Sequence, residues 1–378
     1  MLESPKEPAT CPPPVMSTPS AAPIVKDYGD TTFITGMRAY AALAVVLTHT
    51  GGAGLRGLGL VGERLIHFGA YGVNVFFVIS GFSVAASYAA SGSFRAYLLR
   101  RFVRIAPLYY LWIVIACVSG ATASEWQRRY GVTVDAYNVG MHLTFLSFLD
   151  YRIACTILGV EWSLPIEVVW YLMIPALLCC MVAPKNVALA VALSILLLAP
   201  VSWLKYQLPI ERDDAAYAIL WSPLPHAPAF VLGIAAFRLR AWVPRLRKWA
   251  GILVGVGACA VVGLAIVEWS LPAPFYPLVF AVLTAGLIAT GSRGSPVCNG
   301  LFCNRPVLFL GTISYGIYLS HFPVLRWLRD AGFVVEDGSI KTFACTATVA
   351  IVISVATYYL CERPGQRIAG TSLMPVRK

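Results

Sequence analysis

Charge is what this sequence has least of. Asp, Glu, Lys and Arg together make up 12% of it, where a soluble domain carries about a quarter. With 58% hydrophobic residues and a mean hydropathy of +0.72, that scarcity excludes an ordinary soluble chain and assigns an integral membrane protein. Acids are scarcer than bases, and the formal net charge is +11. No single stripe or tail concentrates the Lys and Arg residues; they fall in short clusters between apolar runs, which excludes a nucleic-acid partner and reads as topology signals and anion sites. The first thirty residues lack the apolar core and the small-residue cleavage site of a secretory signal. Their Pro, Ser, Thr and Ala content predicts a disordered tail over 1–30. Metal-ligand spacing is also missing. Cys117, Cys179, Cys180, Cys259 and Cys345 lie inside apolar runs as small hydrophobes, Cys298 and Cys303 form a lone C-x4-C pair, and no metal is expected.

What the chain does have is length of apolar run. A helical span needs about 20 mainly apolar residues, and such runs occur near 33–50, 69–90, 105–121, 162–183, 187–203, 216–237, 249–267, 276–291, 307–326 and 342–361. This predicts an all-α bundle of about ten transmembrane helices, with a membrane domain over 31–368 and a short basic tail over 369–378. The segment 139–158 is apolar too, but Asp150 and Arg152 interrupt it. Counting it as a span would place the five cations of 238–248 outside, against the positive-inside bias. It is therefore expected to dip into the membrane or lie on the outer face, with its non-helical backbone covered by protein or lining a wet cavity. Both termini are then cytoplasmic.

Few ionisable groups interrupt the spans, and they are patterned. In RAYAALAVVLTH, eleven positions at about 100° each bring Arg38 and His49 to one helix face, about 16 Å apart along the axis. An isolated charge at that depth costs several kcal/mol, so such residues face the bundle interior. Glu167 is the one carboxylate well inside a predicted helix, and in EWSLPIEVVWY it shares a face with Ser163 and Trp170, next to Trp162. In GTISYGIYLSHF, Ser314, Tyr318 and His321 again follow i, i+4, i+7, with Tyr315 and Phe322 beside them. Rise per residue puts His49, Glu167 and His321 at similar depths in the outer half. On the cytoplasmic side, Arg101 and Arg104 of RRFVRIAP lie one turn apart, as two guanidinium groups suited to phosphate. The bland alternatives are polar clasps between helices and ordinary topology signals.

Taken in order, these segments resemble the membrane acyltransferase-3 family, whose members move acyl groups from acyl-CoA to sugars of envelope or secreted glycans. The resemblance rests on Arg38-x10-His49, on GVNVFFVISGFSVAASY (72–88), on Arg101-x-x-Arg104, on EWSLPIEVVWY, on ISYGIYLSHFP and on the closing ERP (362–364). It spans roughly 30–368 and implies a ten-helix bundle in a bacterial cytoplasmic membrane. It further implies that His49 is central to acyl transfer and that Arg38, Arg101 and Arg104 help hold the donor; the helix faces read above add Trp162, Ser163, Ser314, Tyr315, Tyr318 and His321 as the expected lining of the cavity. Acyl-CoA is then a co-substrate, acetyl-CoA first among the choices, and the partners are a glycan or glycolipid acceptor and membrane lipids. The reading of the residues leaves two mechanisms open. In one, His49 is general base on the acceptor hydroxyl, with Glu167 orienting or charging its ring; in the other, it carries the acyl group itself. A multi-pass transporter is the rival class, because intramembrane ionisable residues also mark solute or proton pathways. The sequence shows no matching pair of interrupted helices in two halves, which weighs against it. Nothing in the sequence selects the acceptor, the acyl length or the oligomeric state.

Overall fold

The structure is a computed structural model that describes residues 31–91, 93–240, 249–266, 275–291, 296–334 and 337–368. The expected tails, 1–30 and 369–378, lie outside the described residues. Among those residues the regular elements are all helical. The helices are α1 (Thr32–His49), α2 (Leu60–Gly69), α3 (Gly72–Ala89), α4 (Phe94–Ser119), α5 (Ser124–Tyr130), α6 (Ala136–Leu143), α7 (Ser163–Cys180), α8 (Pro184–Leu196) and α9 (Leu198–Leu204). They continue with α10 (Arg212–Leu220), α11 (Ala227–Leu239), α12 (Trp249–Ile266), α13 (Phe275–Gly291), α14 (Pro296–Phe302), α15 (Arg305–Thr312), α16 (Ser314–Asp330), α17 (Ile340–Thr357) and α18 (Arg363–Ile368).

Each apolar run became helix, but the runs are not ten straight rods. Five helical stretches are long and apolar enough to cross a membrane, and up to eight if each bent pair makes one span. The bent pairs are α10 with α11 at 58°, α13 with α14 at 115°, and α15 with α16 at 68°. α1, with 18 residues, stands outside that set because Arg38 and His49 dilute its apolarity.

Without a hydrophobic force between helices in lipid, close packing must come from small residues. At the α3–α11 crossing, Gly81 lies against the carbonyl of Phe230 and Gly233 against that of Val78, too close for a Cβ at either position. α1 threads the middle of the bundle, packed by α2, α3, α15 and α16. Its C-terminal end is fixed by a tight turn. Gly51, Gly52, Ala53 and Gly54 all have positive φ, and the turn pairs with Gly338 through Gly338 N–H to the Thr50 carbonyl (2.9 Å) and Gly54 N–H to the Gly338 carbonyl (2.6 Å). Glycine takes left-handed backbone at no steric cost, which suits three of these four positions, Ala53 being the exception, and the turn sets where His49 sits.

The 139–158 region does not form a spanning helix. α6 ends at Leu143, and an irregular segment runs to α7 with Ile153 to Glu161 almost wholly buried, Gly159 excepted from the buried side chains because it has none. The segment is stapled by its own polar groups, as covered non-helical backbone must be. Glu161 accepts hydrogen bonds from the N–H groups of Ile157 (2.7 Å) and Val160 (2.9 Å), and lies 3.4 Å from His142 Nε2, with both side chains fully buried. Asn138 donates to the Thr133 carbonyl and the Thr156 hydroxyl, both at 2.9 Å. Asp150 and Arg152, the pair that broke the apolar run, bond to each other at the surface.

Candidate active site

Five helices supply the walls of one cavity of about 80 Å³, room for several waters or a thin chain. α1 gives Arg38, α3 gives Phe76, Phe77, Ser80 and Ser83, and α4 gives Arg101 and Arg104. α7 gives Ser163, Glu167 and Tyr171, and α16 gives Ser314, Tyr315 and Tyr318. The helical spacings explain the convergence: Arg101 and Arg104 are one turn apart, as are Ser163 and Glu167, Glu167 and Tyr171, and Ser314 and Tyr318.

Three guanidinium groups face one carboxylate here, so the cavity is cationic. Arg38 donates to the Ser83 hydroxyl at 3.2 Å. Glu167 accepts from Ser80 and, at 2.5 Å, from Tyr171. Arg101 lies over the Tyr171 ring, 5.9 Å from its centroid, and its buried Nε has no hydrogen-bond partner. A buried, unpartnered guanidinium N–H is costly, which makes this wall receptive to an anion.

The other end of the cavity is neutral. Tyr318 donates to the Val160 carbonyl at 2.7 Å and lies 2.8 Å from the Ser163 hydroxyl. Tyr315 donates to the Ile105 carbonyl at 2.9 Å. Beyond Tyr318, its ring centroid 6.0 Å away, is His321, fully buried, and His321 Nε2 stands 2.8 Å from His49 Nδ1. Phe322 packs edge-on to His49.

The convergence expected in the outer half therefore divides in two. His49 meets His321, while Glu167 lies with the arginines and has no bond to either imidazole. The cause is local. α7 starts at Ser163 beside Val160 and Tyr318, and Glu167 lies one turn further along, towards Arg101. The bend of 68° between α15 and α16 also voids a depth for His321 reckoned along one straight helix from Val307. His49, His321 and Trp162 do not line the cavity; Trp162 packs instead on Phe77 and His226.

Sequence reading missed several members. Ser80 and Ser83 stand three apart in FFVISGFS, and Tyr171 is four residues from Glu167, so a face-by-face reading of those helices would have found them. Two further carboxylates are buried outside the predicted spans: Glu161 in the segment before α7, and Glu362, which ends the π-helical turn after α17, is 6% exposed and has its Oε1 unpartnered.

Residues 31–360 match a protein-family model described as an acyltransferase domain. The chain is similar to acyltransferase MdmB of Streptomyces mycarofaciens, at 26% identity over 89% of this chain and 92% of that protein. It is similar to the putative membrane-bound transacylase BcsY of Komagataeibacter xylinus, at 28% identity over 82% and 81%. A third relative is the peptidoglycan O-acetyltransferase OatA of Listeria monocytogenes, at 26% identity over 88% of this chain, which spans only 55% of that protein. No solved structure matches the chain.

Proposed function

The chain belongs to the acyltransferase-3 family, and from that premise we propose that it moves an acyl group, acetyl first among the choices, from cytoplasmic acyl-CoA to a sugar hydroxyl of a cell-envelope or secreted glycan. The observation that carries this reading is the cavity in which Arg38, Arg101 and Arg104 outnumber the single carboxylate, Glu167, with Arg101 Nε left unpartnered. Guanidinium forks suit phosphate oxygens, which they grip in pairs. A donor that carries phosphates at one end and a thioester at the other, joined by a long thin arm, fits a site whose cations and imidazole are held apart. Arg38 and His49 are three turns apart on α1, about 16 Å on an ideal helix. Between them the walls are aromatic and hydroxylic, fit for an uncharged arm.

In this reading the arginines anchor the donor and His49 acts as general base on the acceptor hydroxyl. Glu167, held by Ser80 and Tyr171, offsets part of the cationic charge of the cavity. It is not the partner of the imidazole.

The test is equilibrium binding of acetyl-CoA and a short series of longer acyl-CoAs to the purified protein and to its Arg101→Ala/Arg104→Ala variant. Each charged hydrogen bond lost is worth about 1.5–3 kcal/mol, so the double variant is expected to bind at least 100-fold more weakly. Equal affinity in the two, with both proteins folded, refutes the donor site.

A further inference from the structure

The two imidazoles are joined in one direction only. His49 Nδ1 and His321 Nε2 are 2.8 Å apart, the ring planes differ by 13°, and the centroids lie 5.1 Å apart. Nitrogens that close with centroids that far apart place the rings edge to edge in nearly one plane, the arrangement of an N–H···N bond. On its far side, His321 Nδ1 is 3.2 Å from the carbonyl oxygen of Ile317, one turn back on α16. A carbonyl only accepts, so His321 Nδ1 carries hydrogen. A neutral imidazole has one N–H and one bare nitrogen, so His321 Nε2 is bare and must accept. His49 Nδ1 must then donate. The bare nitrogen left in the neutral pair is His49 Nε2.

The burial agrees with this order. His321 is wholly buried and both its nitrogens are engaged, whereas His49 is partly exposed and no hydrogen bond to its Nε2 is found among the described residues. The anchor is also firm: Ile317 is itself buried on α16, and the turn at 51–54 fixes the end of α1.

We infer that His321 is a positioning residue that holds His49 in the Nδ1–H tautomer, so that Nε2 is presented as the base. This rests on reading the chain as an acyltransferase that works through His49. The acceptor hydroxyl gives its proton to His49 Nε2 while its oxygen bonds to the thioester carbonyl carbon. The carbon–sulfur bond then breaks, and the departing thiolate takes the proton from Nε2. While the proton is held, His49 is an imidazolium whose Nδ1–H points at the bare Nε2 of His321, a charge-assisted bond stronger than the neutral one it replaces. His321 thus sets the tautomer at the start and stabilises the cation at the middle of the cycle. In hydrolases a buried carboxylate fills that place; here the residue opposite Nδ1 is a neutral ring, and the nearby carboxylate, Glu167, is engaged elsewhere.

Three variants and one spectrum test this. His321→Leu removes the acceptor and keeps an apolar side chain; it is expected to lower kcat about 10²-fold, with the KM values for donor and acceptor unchanged. His321→Gln puts an amide oxygen near the place of Nε2 and is expected to recover most of that loss. A merely structural His321 would show no such recovery. His49→Ala is expected to lose more than His321→Leu, and adding His321→Leu to it to cost nothing further. The spectrum is a 15N NMR measurement on histidine-labelled protein in detergent, with His49→Ala assigning the signals among the five histidines of the sequence. It is expected to show His49 protonated at Nδ1 alone near neutral pH. Full activity in His321→Leu, no recovery in a folded His321→Gln, or a proton on His49 Nε2 would each overturn the inference. If the unaltered protein transfers no acyl group, the acyltransferase reading has failed, and the spectrum still decides the tautomer.

Discussion

Two glycines at the α3–α11 crossing hold one wall of the cavity in place, and their substitution offers a test of how that wall is set. A Cβ built at Gly233 falls 2.8 Å from Phe82 N and closer still to the Val78 carbonyl oxygen; one built at Gly81 meets the Phe230 carbonyl in the same way. Ordinary carbon contacts lie near 3.5 Å, so either alanine must part the helices by about 1 Å. Overpacking of this kind costs about 1–3 kcal/mol. Because one separation relieves both clashes, the second alanine should add much less than the first, and the double variant should fall short of additivity by about 1 kcal/mol or more. α3 carries Phe76, Phe77, Ser80 and Ser83 of the cavity, so donor affinity should fall in the same variants. Gly140→Ala is the control: it lies in α6 with nothing within 4 Å of its Cβ, and helix propensity should make it neutral or stabilising by up to about 1 kcal/mol. Reversible unfolding of the purified protein in mixed micelles measures all four. Additive costs at Gly81 and Gly233, or a cost at Gly140 as large as theirs, would refute the close-approach argument.

Glu161→Gln should loosen the stapled segment, because an amide has one oxygen where Ile157 and Val160 now find two. The expected loss is about 1–3 kcal/mol in stability, with faster proteolytic nicking between 150 and 161; an unchanged nicking rate would show that the carboxylate holds nothing. The Arg152 hydrogen bonds beside Asp150 keep its carboxyl below the usual carboxylate range. A depressed folded value means stability that is present above the unfolded value of about 4 and lost as pH falls through the folded one. Asp150→Asn should therefore melt lower than the unaltered protein at neutral pH and converge with it in acid; a gap that persists unchanged at low pH would contradict the assignment.

The long helices were legible from apolar runs, since each expected run falls on helix, but α2, α5, α6, α14 and α18 lie outside those runs, and five to eight stretches rather than ten are long and apolar enough to span. Which side chains meet was legible mainly along a single helix. Arg101 with Arg104, and Ser163 with Glu167, follow from 3.6 residues per turn and both reach the cavity. Between helices, similar depth anticipated that His49 could meet His321 but wrongly grouped Glu167 with them, and the other contacts were not legible, for stated reasons. The bend between α15 and α16 is set by packing against α1, where a Cβ at Gly311 would strike the Thr35 carbonyl, and no periodicity within either helix reports it. Glu161 lay unremarked because its partners are backbone N–H groups of an irregular segment whose conformation no residue pattern announces, and His142 because it meets Glu161 across that segment and otherwise bonds only to the Asn138 carbonyl of its own helix. Glu362 was passed over because it stands at the end of its apolar run, where a charge is ordinary.

The separation of the cavity's charges from the His49–His321 pair beyond it has a physical logic that the position of Glu167 makes visible. A carboxylate beside His49 would make it a stronger base, but under the proposed function that carboxylate would also lie near the path of a donor bearing several negative charges, and would repel it. Placed among Arg38, Arg101 and Arg104, the same charge instead moderates a cluster that would otherwise suffer its own repulsion in a medium of low dielectric constant. On the proposed mechanism, a neutral histidine behind His49 supplies direction without charge: it would fix the tautomer, accept a hydrogen bond from the imidazolium when one forms, and leave the site uncharged at the end proposed for the acceptor hydroxyl. On this argument, exchanging the two roles should fail asymmetrically. His321→Glu should weaken donor binding even if it preserves the orientation of His49, whereas Glu167→Gln should leave the orientation of His49 untouched and shift donor affinity alone. Donor titrations on the two variants, set beside the 15N spectrum of His49 in each, separate these effects, and a change of tautomer in Glu167→Gln would show that the carboxylate acts on the imidazole after all.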